Sequence, residues 1–227
     1  MVFRTIKNDE KSANYRKNRG GSLALLVSLA LGQQASAVTL VENLSQTNGG
    51  EITVNNLQWL GSSFTTGSGS YNLESVTLLF RQNIAGDLFV RLYGNNSGVP
   101  GTLITTFTNP GSISSSFANN TFTLATSQAL TASTTYWLVS GVSSSGNFGW
   151  RFTFSDSETG LPGWTIGGGN VSSTNQGGTW NSSPTSGPFQ FSVNGTEQSQ
   201  SIPEPSSLVA LLGLGGLGLV SRLKKRK

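Results

Sequence analysis

The central part of the chain consists of short runs in which apolar residues alternate with polar ones, separated by clusters of Gly, Asn, Pro and Ser. Alternation with a period of two is typical of β-strands, because successive side chains point to opposite faces of a sheet. These runs are also rich in β-branched and aromatic residues, which favour strands. The predicted strands are 57–65, 75–82, 88–93, 102–108, 121–124, 135–142, 148–155 and 189–193.

Eight or nine short strands linked by polar turns predict an all-β fold, with a body that is a β-sandwich or jelly roll. No run of ten or more residues in this region shows the apolar stripe of an amphipathic helix. In segment 88–93, Leu88, Val90 and Leu92 are expected to face the core, and the alternate residues to face a second layer or solvent. The residues predicted to be buried are Val76, Leu78, Val90, Leu92, Tyr136, Leu138 and Phe152.

Segment 155–188 departs from the alternating pattern, because it is rich in Gly, Ser and Asn, with Trp164 and Trp180 as its large anchors. Such a composition predicts either a long loop or a set of short edge strands. Both tryptophans have loop-like neighbours, so they are candidates for contact with a sugar ring. Packing as apolar anchors is the alternative role for each of them.

The first 37 residues have the pattern of a secretory signal peptide. Basic residues precede an apolar run at 23–31. The small residues Ala35 and Ala37 follow it and form the small-x-small pattern that precedes a cleavage site. Nine apolar residues at about 1.5 Å rise per residue are too short to cross about 30 Å of hydrocarbon. We therefore expect export and cleavage by signal peptidase after Ala37. The alternative is a buried helix of the mature protein.

Residues 202–227 contain a second short apolar run, at 208–220, which is predicted to form a short transmembrane helix. Pro203, Glu204 and Pro205 precede it, and five basic residues follow it. The two prolines hold the backbone extended around a single carboxylate, in a form that a processing enzyme can bind. The basic terminus is expected to stay on the cytoplasmic side, which leaves the body, residues 38–201, outside the cell membrane. This pattern alone also fits an ordinary membrane anchor.

The Pro-Glu-Pro segment, the short Leu/Gly-rich run and the basic terminus together resemble the PEP-CTERM protein-sorting signal of bacteria that make exopolysaccharide. The resemblance implies that a membrane-embedded exosortase recognises Pro203, Glu204 and Pro205, which would be recognition residues rather than catalytic ones. It also implies cleavage near this segment. The protein would then reach the cell envelope, the cell surface or the extracellular matrix, in association with exopolysaccharide.

Four segments of the body resemble the choice-of-anchor R domain, which occurs on bacterial surface proteins with varied C-terminal anchors. These segments are QWLGSSFTTG at 58–67, YNLESVTL at 71–78, LYGNNSGVPGTL at 92–103 and TTYWLV at 134–139. The resemblance covers about residues 44–195. It implies an exported β domain and no particular biochemical activity.

Composition narrows the chemistry that the body can perform. The chain has no His and no Cys, which excludes Ser-His-Asp and Cys-His nucleophiles, imidazole or thiolate metal sites, and disulfides. The net charge of +4 comes from the two ends, because the body holds only Arg81, Arg91 and Arg151, and no Lys, against seven acidic residues. A body without clustered Lys and Arg is not expected to bind nucleic acid.

The remaining catalytic option is a carboxylate pair of the kind that glycoside hydrolases use. The candidate carboxylates are Glu74, Asp87, Asp156 and Glu158. Calcium is a further alternative, although no EF-hand or nonapeptide spacing is present. Its candidate ligands are Asp87, Asn95, Asn96, Asp156 and Glu158. We predict no metal site, no cofactor and no enzymatic activity.

Two classes of function therefore remain. The first is an exported, non-catalytic surface or matrix protein. The second is a carbohydrate-binding module that binds the extracellular matrix directly. A secreted glycoside hydrolase is a more distant alternative. The expected partners are signal peptidase, an exosortase, exopolysaccharide and, before processing, the cytoplasmic membrane.

Overall fold

The computed structural model of the protein describes residues 36–198. This part of the chain is built from thirteen β-strands. They are β1 (Val38–Glu42), β2 (Gly50–Val54), β3 (Trp59–Thr65), β4 (Tyr71–Ile84), β5 (Leu88–Asn96), β6 (Val99–Thr106), β7 (Ala118–Leu130), β8 (Thr135–Val142), β9 (Asn147–Phe152), β10 (Thr159–Gly160), β11 (Thr165–Ser173), β12 (Asn181–Ser183) and β13 (Phe191–Glu197).

The strands form two antiparallel sheets. Sheet 1 has the strand order β10-β1-β13-β4-β9-β2, and β7 also pairs with the long strand β4. Sheet 2 has the strand order β12-β11-β3-β8-β5-β6. The prediction of an all-β fold is confirmed for the described residues.

The main core lies between the two sheets. Phe64, from β3 of sheet 2, contacts Phe191, from β13 of sheet 1, with ring centroids 6.5 Å apart. Within sheet 1, Trp150 packs edge-on against Phe80 at a centroid distance of 5.2 Å and is fully buried. Contact between inward side chains of two antiparallel sheets is the arrangement of a β-sandwich.

The residues predicted to be buried follow the expected strand phase, with one exception. The buried ones are Val76, Leu78, Val90, Leu92, Tyr136 and Leu138. Phe152 is less buried than the others: it is partly buried and packs against the main core. Phe152 is the last residue of β9. It lies opposite Gly50 of β2, which is the edge strand of sheet 1. Its ring packs edge-on against Phe154, with centroids 5.2 Å apart. Because Phe154 is itself exposed, the Phe152 ring stays partly accessible to solvent.

The outward side of sheet 2 carries a second apolar cluster, which we call the aromatic layer. It consists of Trp59, Phe89, Trp137, Val139 and Val171. Trp59 and Phe89 meet edge to face with centroids 4.7 Å apart, and the guanidinium carbon of Arg91 lies 3.9 Å from the Phe89 ring centroid. The alternate residues of segment 88–93 therefore face a second layer, which is one of the two alternatives that the sequence left open.

Five strands are not indicated by the sequence pattern, namely β1, β2, β10, β11 and β12. Three of them lie in segment 155–188, for which the sequence predicts a long loop or short edge strands. β10 and β12 are short edge strands, whereas β11 has nine residues and lies between β12 and β3. β11 pairs with β3, and the glycines at 167–169 form a bulge opposite Ser63. A bulge of this kind interrupts the alternation of side chains, so the strand is hard to recognise from the sequence.

Several predicted features lie outside the described residues. They are the apolar run at 23–31, Ala35, the motif Pro203, Glu204 and Pro205, and the helix at 208–220. Ala37, the predicted last residue of the signal peptide, is exposed and directly precedes β1. Within residues 36–198, no helix is long and apolar enough to cross a membrane.

Candidate functional site

Trp164 and Trp180, the two tryptophans considered for sugar contact, occupy different places. Trp164 is 4% exposed and belongs to the main core. Its ring lies nearly parallel to Phe64, with centroids 6.2 Å apart, and edge-on to Tyr71 at 5.6 Å. Trp164 therefore has no free ring face to offer a ligand, and the packing alternative applies to it.

Trp180 lies at the end of the loop that joins β11 to β12, and its indole is half-buried against the aromatic layer. It lines an open cleft of about 710 Å³ between this loop and the β5–β6 hairpin, which we call the main cleft. The polar side chains of the cleft are amides and hydroxyls, from Asn95, Asn96, Thr102 and Thr179. None of the described residues that line it is charged.

The β5–β6 hairpin turns at Ser97 and Gly98, whose φ angles are 53° and 87°. Two consecutive positive φ values are typical of the type I′ turn, which suits a two-residue hairpin. Before the turn, Asn95 Oδ1 accepts hydrogen bonds from Trp137 Nε1 at 2.9 Å and from Gly98 N at 3.1 Å. Because these bonds occupy Oδ1, the exposed Asn95 keeps the two N–H donors of Nδ2 for other partners.

The loop at 173–180 is held by its own hydrogen bonds. Ser173 Oγ accepts from Gly177 N at 2.8 Å. Asn175 Oδ1 accepts from Thr179 N at 2.8 Å, and Asn175 Nδ2 donates to Thr179 Oγ1 at 3.0 Å. These bonds fix the backbone of the loop directly ahead of Trp180.

Gly177 places the same loop directly on the aromatic layer. Its φ is 86°, and a Cβ added there would lie 3.0 Å from Trp59 Cζ3 and 3.6 Å from Trp180 Cζ2. The positive φ favours glycine here, and an added Cβ would crowd the Trp59 ring. The loop that precedes Trp180 therefore rests on Trp59.

A second, smaller cleft of about 300 Å³ lies between the hairpin and the glycine bulge at 167–169, and we call it the side cleft. Asn95 lines both clefts. Trp137, Thr135 and Ser182 also line the side cleft. Its lining, like that of the main cleft, includes no charged residue from the described part of the chain.

The candidate carboxylates do not line either cleft. Glu74, on β4, accepts a hydrogen bond from Thr196 Oγ1 at 2.9 Å. Asp87 accepts one from Ser144 Oγ. The exposed Asp156 lies beside Gly168 of the bulge, where an added Cβ would be 3.5 Å from Asp156 Oδ1. Glu158 follows it in the connection between β9 and β10.

The candidate calcium ligands are spread over the fold. Asp87 precedes β5, whereas Asn95 and Asn96 end this nine-residue strand. Asp156 and Glu158 belong to a different connection. Across residues 36–198, no group of three or more Asp or Glu side chains is placed to hold a metal ion.

Several residues of the main cleft are not singled out by sequence reasoning. Asn95 and Asn96 are named there as candidate calcium ligands and, with Thr102, lie in the 92–103 segment of the family resemblance, but none of these residues is predicted to contact a sugar. The available signal is the Asn-Asn-Ser-Gly turn, which predicts a hairpin but no cleft. The cleft forms only because the hairpin and the 173–180 loop face each other on the outward side of sheet 2.

Comparison with known proteins identifies the C-terminal segment. The family model of the PEP-CTERM protein-sorting motif matches residues 201–227. No curated protein matches the chain. The motif indicates an exported protein that passes through a membrane-anchored precursor and is sorted by an exosortase. The chain thus carries, at residues 201–227, the PEP-CTERM sorting motif of exosortase substrates.

Proposed function

We propose that this protein is an exported, non-catalytic component of the cell surface or extracellular matrix, sorted by an exosortase and associated with exopolysaccharide. The observation that carries the proposal is the PEP-CTERM motif at 201–227. In this proposal, signal peptidase removes residues 1–37, and the body comprises residues 38–201. The sorting signal comprises residues 202–227, in which the run at 208–220 holds the precursor in the cytoplasmic membrane until processing.

We also assign the body to the choice-of-anchor R type. The four segments that carry this resemblance fall on β3, β4, the β5–β6 hairpin and β8. β3, β8 and β5 are consecutive neighbours in sheet 2. The resemblance therefore rests on one connected part of the fold, together with the long strand β4 of sheet 1.

A non-catalytic role is supported by the chemistry of the two clefts, since no carboxylate lines either of them. A glycoside hydrolase places two carboxyl groups about 5–9.5 Å apart around the bond that it cleaves. The hydrolase alternative therefore has less support than a carbohydrate-binding module. One observation favours the binding module, namely the half-buried Trp180 in a cleft of uncharged polar groups.

Replacement of Pro203, Glu204 and Pro205 by alanine tests the sorting proposal in a strain that has an exosortase. Export is expected to be unchanged, because the signal at 1–37 is intact, but C-terminal processing is expected to stop. The variant then stays in the cytoplasmic membrane, because each of the five terminal basic residues costs about 2.5–3.5 kcal/mol to move into the bilayer. Mass spectrometry of the C-terminal peptide measures the processing.

The matched control replaces Ser206 and Ser207 by alanine, directly after the motif. This variant and the wild-type protein should both lose Lys227 and leave the cytoplasmic membrane. Wild-type protein that reaches the outer envelope or the medium with Lys227 still present would contradict the sorting proposal.

A further inference from the structure

We propose that the main cleft and the side cleft together bind a neutral polysaccharide, with Trp180 and Asn95 as the main contacts. This inference rests on the proposed association with exopolysaccharide and specifies the ligand class and the binding residues. The charge, the aromatic content and the hydrogen-bonding groups of the two clefts each point to this class.

Among residues 36–198, none that lines either cleft is charged, and the Asp156 carboxylate beside Gly168 of the side cleft would repel an acidic polymer, so a neutral ligand is favoured. None of the three arginines of the body lines either cleft, since Arg81 and Arg151 flank Phe117 and Arg91 lies over Phe89 and Trp59 of the aromatic layer. Acidic polymers are recognised by cationic side chains, above all by arginine. A neutral polymer needs no such partner, and its binding does not bury a charge on either side.

Trp180 supplies an apolar surface for one face of a sugar ring. Its indole packs against the aromatic layer, and the hydrogen-bonded loop at 173–180 holds the backbone before it. A side chain that is already fixed loses little conformational entropy when a ligand binds. Rings with an apolar face and a polar rim, such as pyranoses, can stack on an aromatic side chain while their hydroxyls bond to neighbouring polar groups.

The groups around Trp180 match the hydroxyls of a sugar. Asn95 Nδ2 is oriented as a donor, because Asn95 Oδ1 is occupied by Trp137 Nε1 and Gly98 N. The hydroxyls of Thr102 and Thr179 can both donate and accept, as sugar hydroxyls do. The cleft therefore offers both kinds of hydrogen-bond partner without a formal charge.

The pairing of the two clefts favours a polymer over a single sugar. Asn95 lies at the boundary, since it lines both of them. The main cleft, at about 710 Å³, is within the range of about 300–1,000 Å³ that is usual for small-molecule sites. A chain of repeated units can occupy it and continue past Asn95 into the side cleft, where Thr135 and Ser182 offer further hydroxyls.

Affinity electrophoresis of the full-length chain in a mild detergent tests this proposal. Separate gels contain dextran, a soluble β-1,4-glucan, an α-mannan or, as an acidic polymer, polygalacturonate. At least one neutral polymer is expected to retard the wild-type protein. Trp180→Ala is expected to weaken the apparent affinity about 30-fold, which is the usual effect of removing a central aromatic contact.

Two further variants separate binding from folding. Phe154→Ala is the matched control, because Phe154 is an aromatic residue that is 66% exposed and lies outside both clefts. It should bind as the wild type does. Asn95→Asp keeps an acceptor for Trp137 Nε1 and Gly98 N but replaces the Nδ2 donors, so we expect about 10-fold weaker binding.

Three results would overturn the proposal. They are the failure of all four polymers to retard the wild type, retardation by a neutral polymer that survives both Trp180→Ala and Asn95→Asp, and retardation by polygalacturonate alone. The last result would move the site to the arginines of the body. None of them affects C-terminal processing of the wild-type protein, so this proposal and the sorting proposal can fail separately.

Discussion

The outward sides of the two sheets are built in opposite ways. Sheet 2 covers its outward side with the aromatic layer, on which the loop at 173–180 rests. Among the described residues, Arg91 is the one arginine on that side, where it lies over Phe89 and Trp59. Sheet 1 carries an ion pair and two arginines around one ring, a group that we call the arginine cluster and that consists of Glu51, Arg81, Phe117 and Arg151. The comparison shows how a cleft with fixed walls arises, since the buried aromatic layer provides a base on which the loop at 173–180 packs.

The arginine cluster is open by comparison. Arg81 and Arg151 lie 4.9 and 4.0 Å from the ring centroid of Phe117, and Arg81 also forms an ion pair with Glu51. Gly149 leaves room for this group, because an added Cβ would lie 3.2 Å from Phe117 Cζ. Both side chains of the ion pair are 35% exposed, so solvent screens their attraction.

Trp59→Ala, in the aromatic layer, is expected to lower the stability of the protein more than any other variant that tests this comparison. Trp59 is 8% exposed, contacts Phe89 and donates from Nε1 to the Val142 carbonyl oxygen at 3.1 Å. Its removal should lower the free energy of unfolding by about 3–5 kcal/mol, as measured by urea denaturation. Phe117→Ala, in the half-buried arginine cluster, should cost less than half as much. Equal losses from the two variants would contradict the difference between the two faces.

Gly177→Ala is expected to lower the free energy of unfolding by an intermediate amount, and Gly98→Ala is its matched control. The two glycines have almost the same φ, 86° and 87°. A Cβ at Gly98 meets nothing within 4 Å, whereas one at Gly177 lies 3.0 Å from Trp59. Both substitutions should cost about 1 kcal/mol for the positive φ, and Gly177→Ala about 1 kcal/mol more for the crowding. If urea denaturation gives equal losses, the loop does not depend on its contact with Trp59.

Glu51→Gln is expected to lower the free energy of unfolding the least. It removes the charge that pairs with Arg81, and an exposed ion pair contributes about 0.2–1 kcal/mol. The difference from the wild-type protein should largely disappear at 1 M salt, where the Debye length is about 3 Å. A loss above about 2 kcal/mol that persists in high salt would mean that the arginine cluster is as important to stability as the aromatic layer.

Features defined by consecutive residues are predictable from the sequence. β8 spans residues 135–142 as predicted, and β5 begins at Leu88 as predicted, because alternation is visible within a few residues. β4 instead runs from Tyr71 to Ile84, beyond the predicted 75–82, since pairing with β13, β7 and β9 extends it. The PEP-CTERM motif is also contiguous, and the family model matches it at 201–227.

Only the tertiary structure decided which tryptophan lines a cleft. Trp164 and Trp180 have similar glycine-rich neighbours, yet one stacks beside Phe64 in the core and the other lies on the aromatic layer. The orientation of Asn95 likewise depends on Trp137, 42 residues further along the chain. The composition of the chain already excluded catalysis by His or Cys. The cleft itself depends on long-range strand pairing, because a local pattern specifies the faces of a strand but not the residues that will lie opposite them.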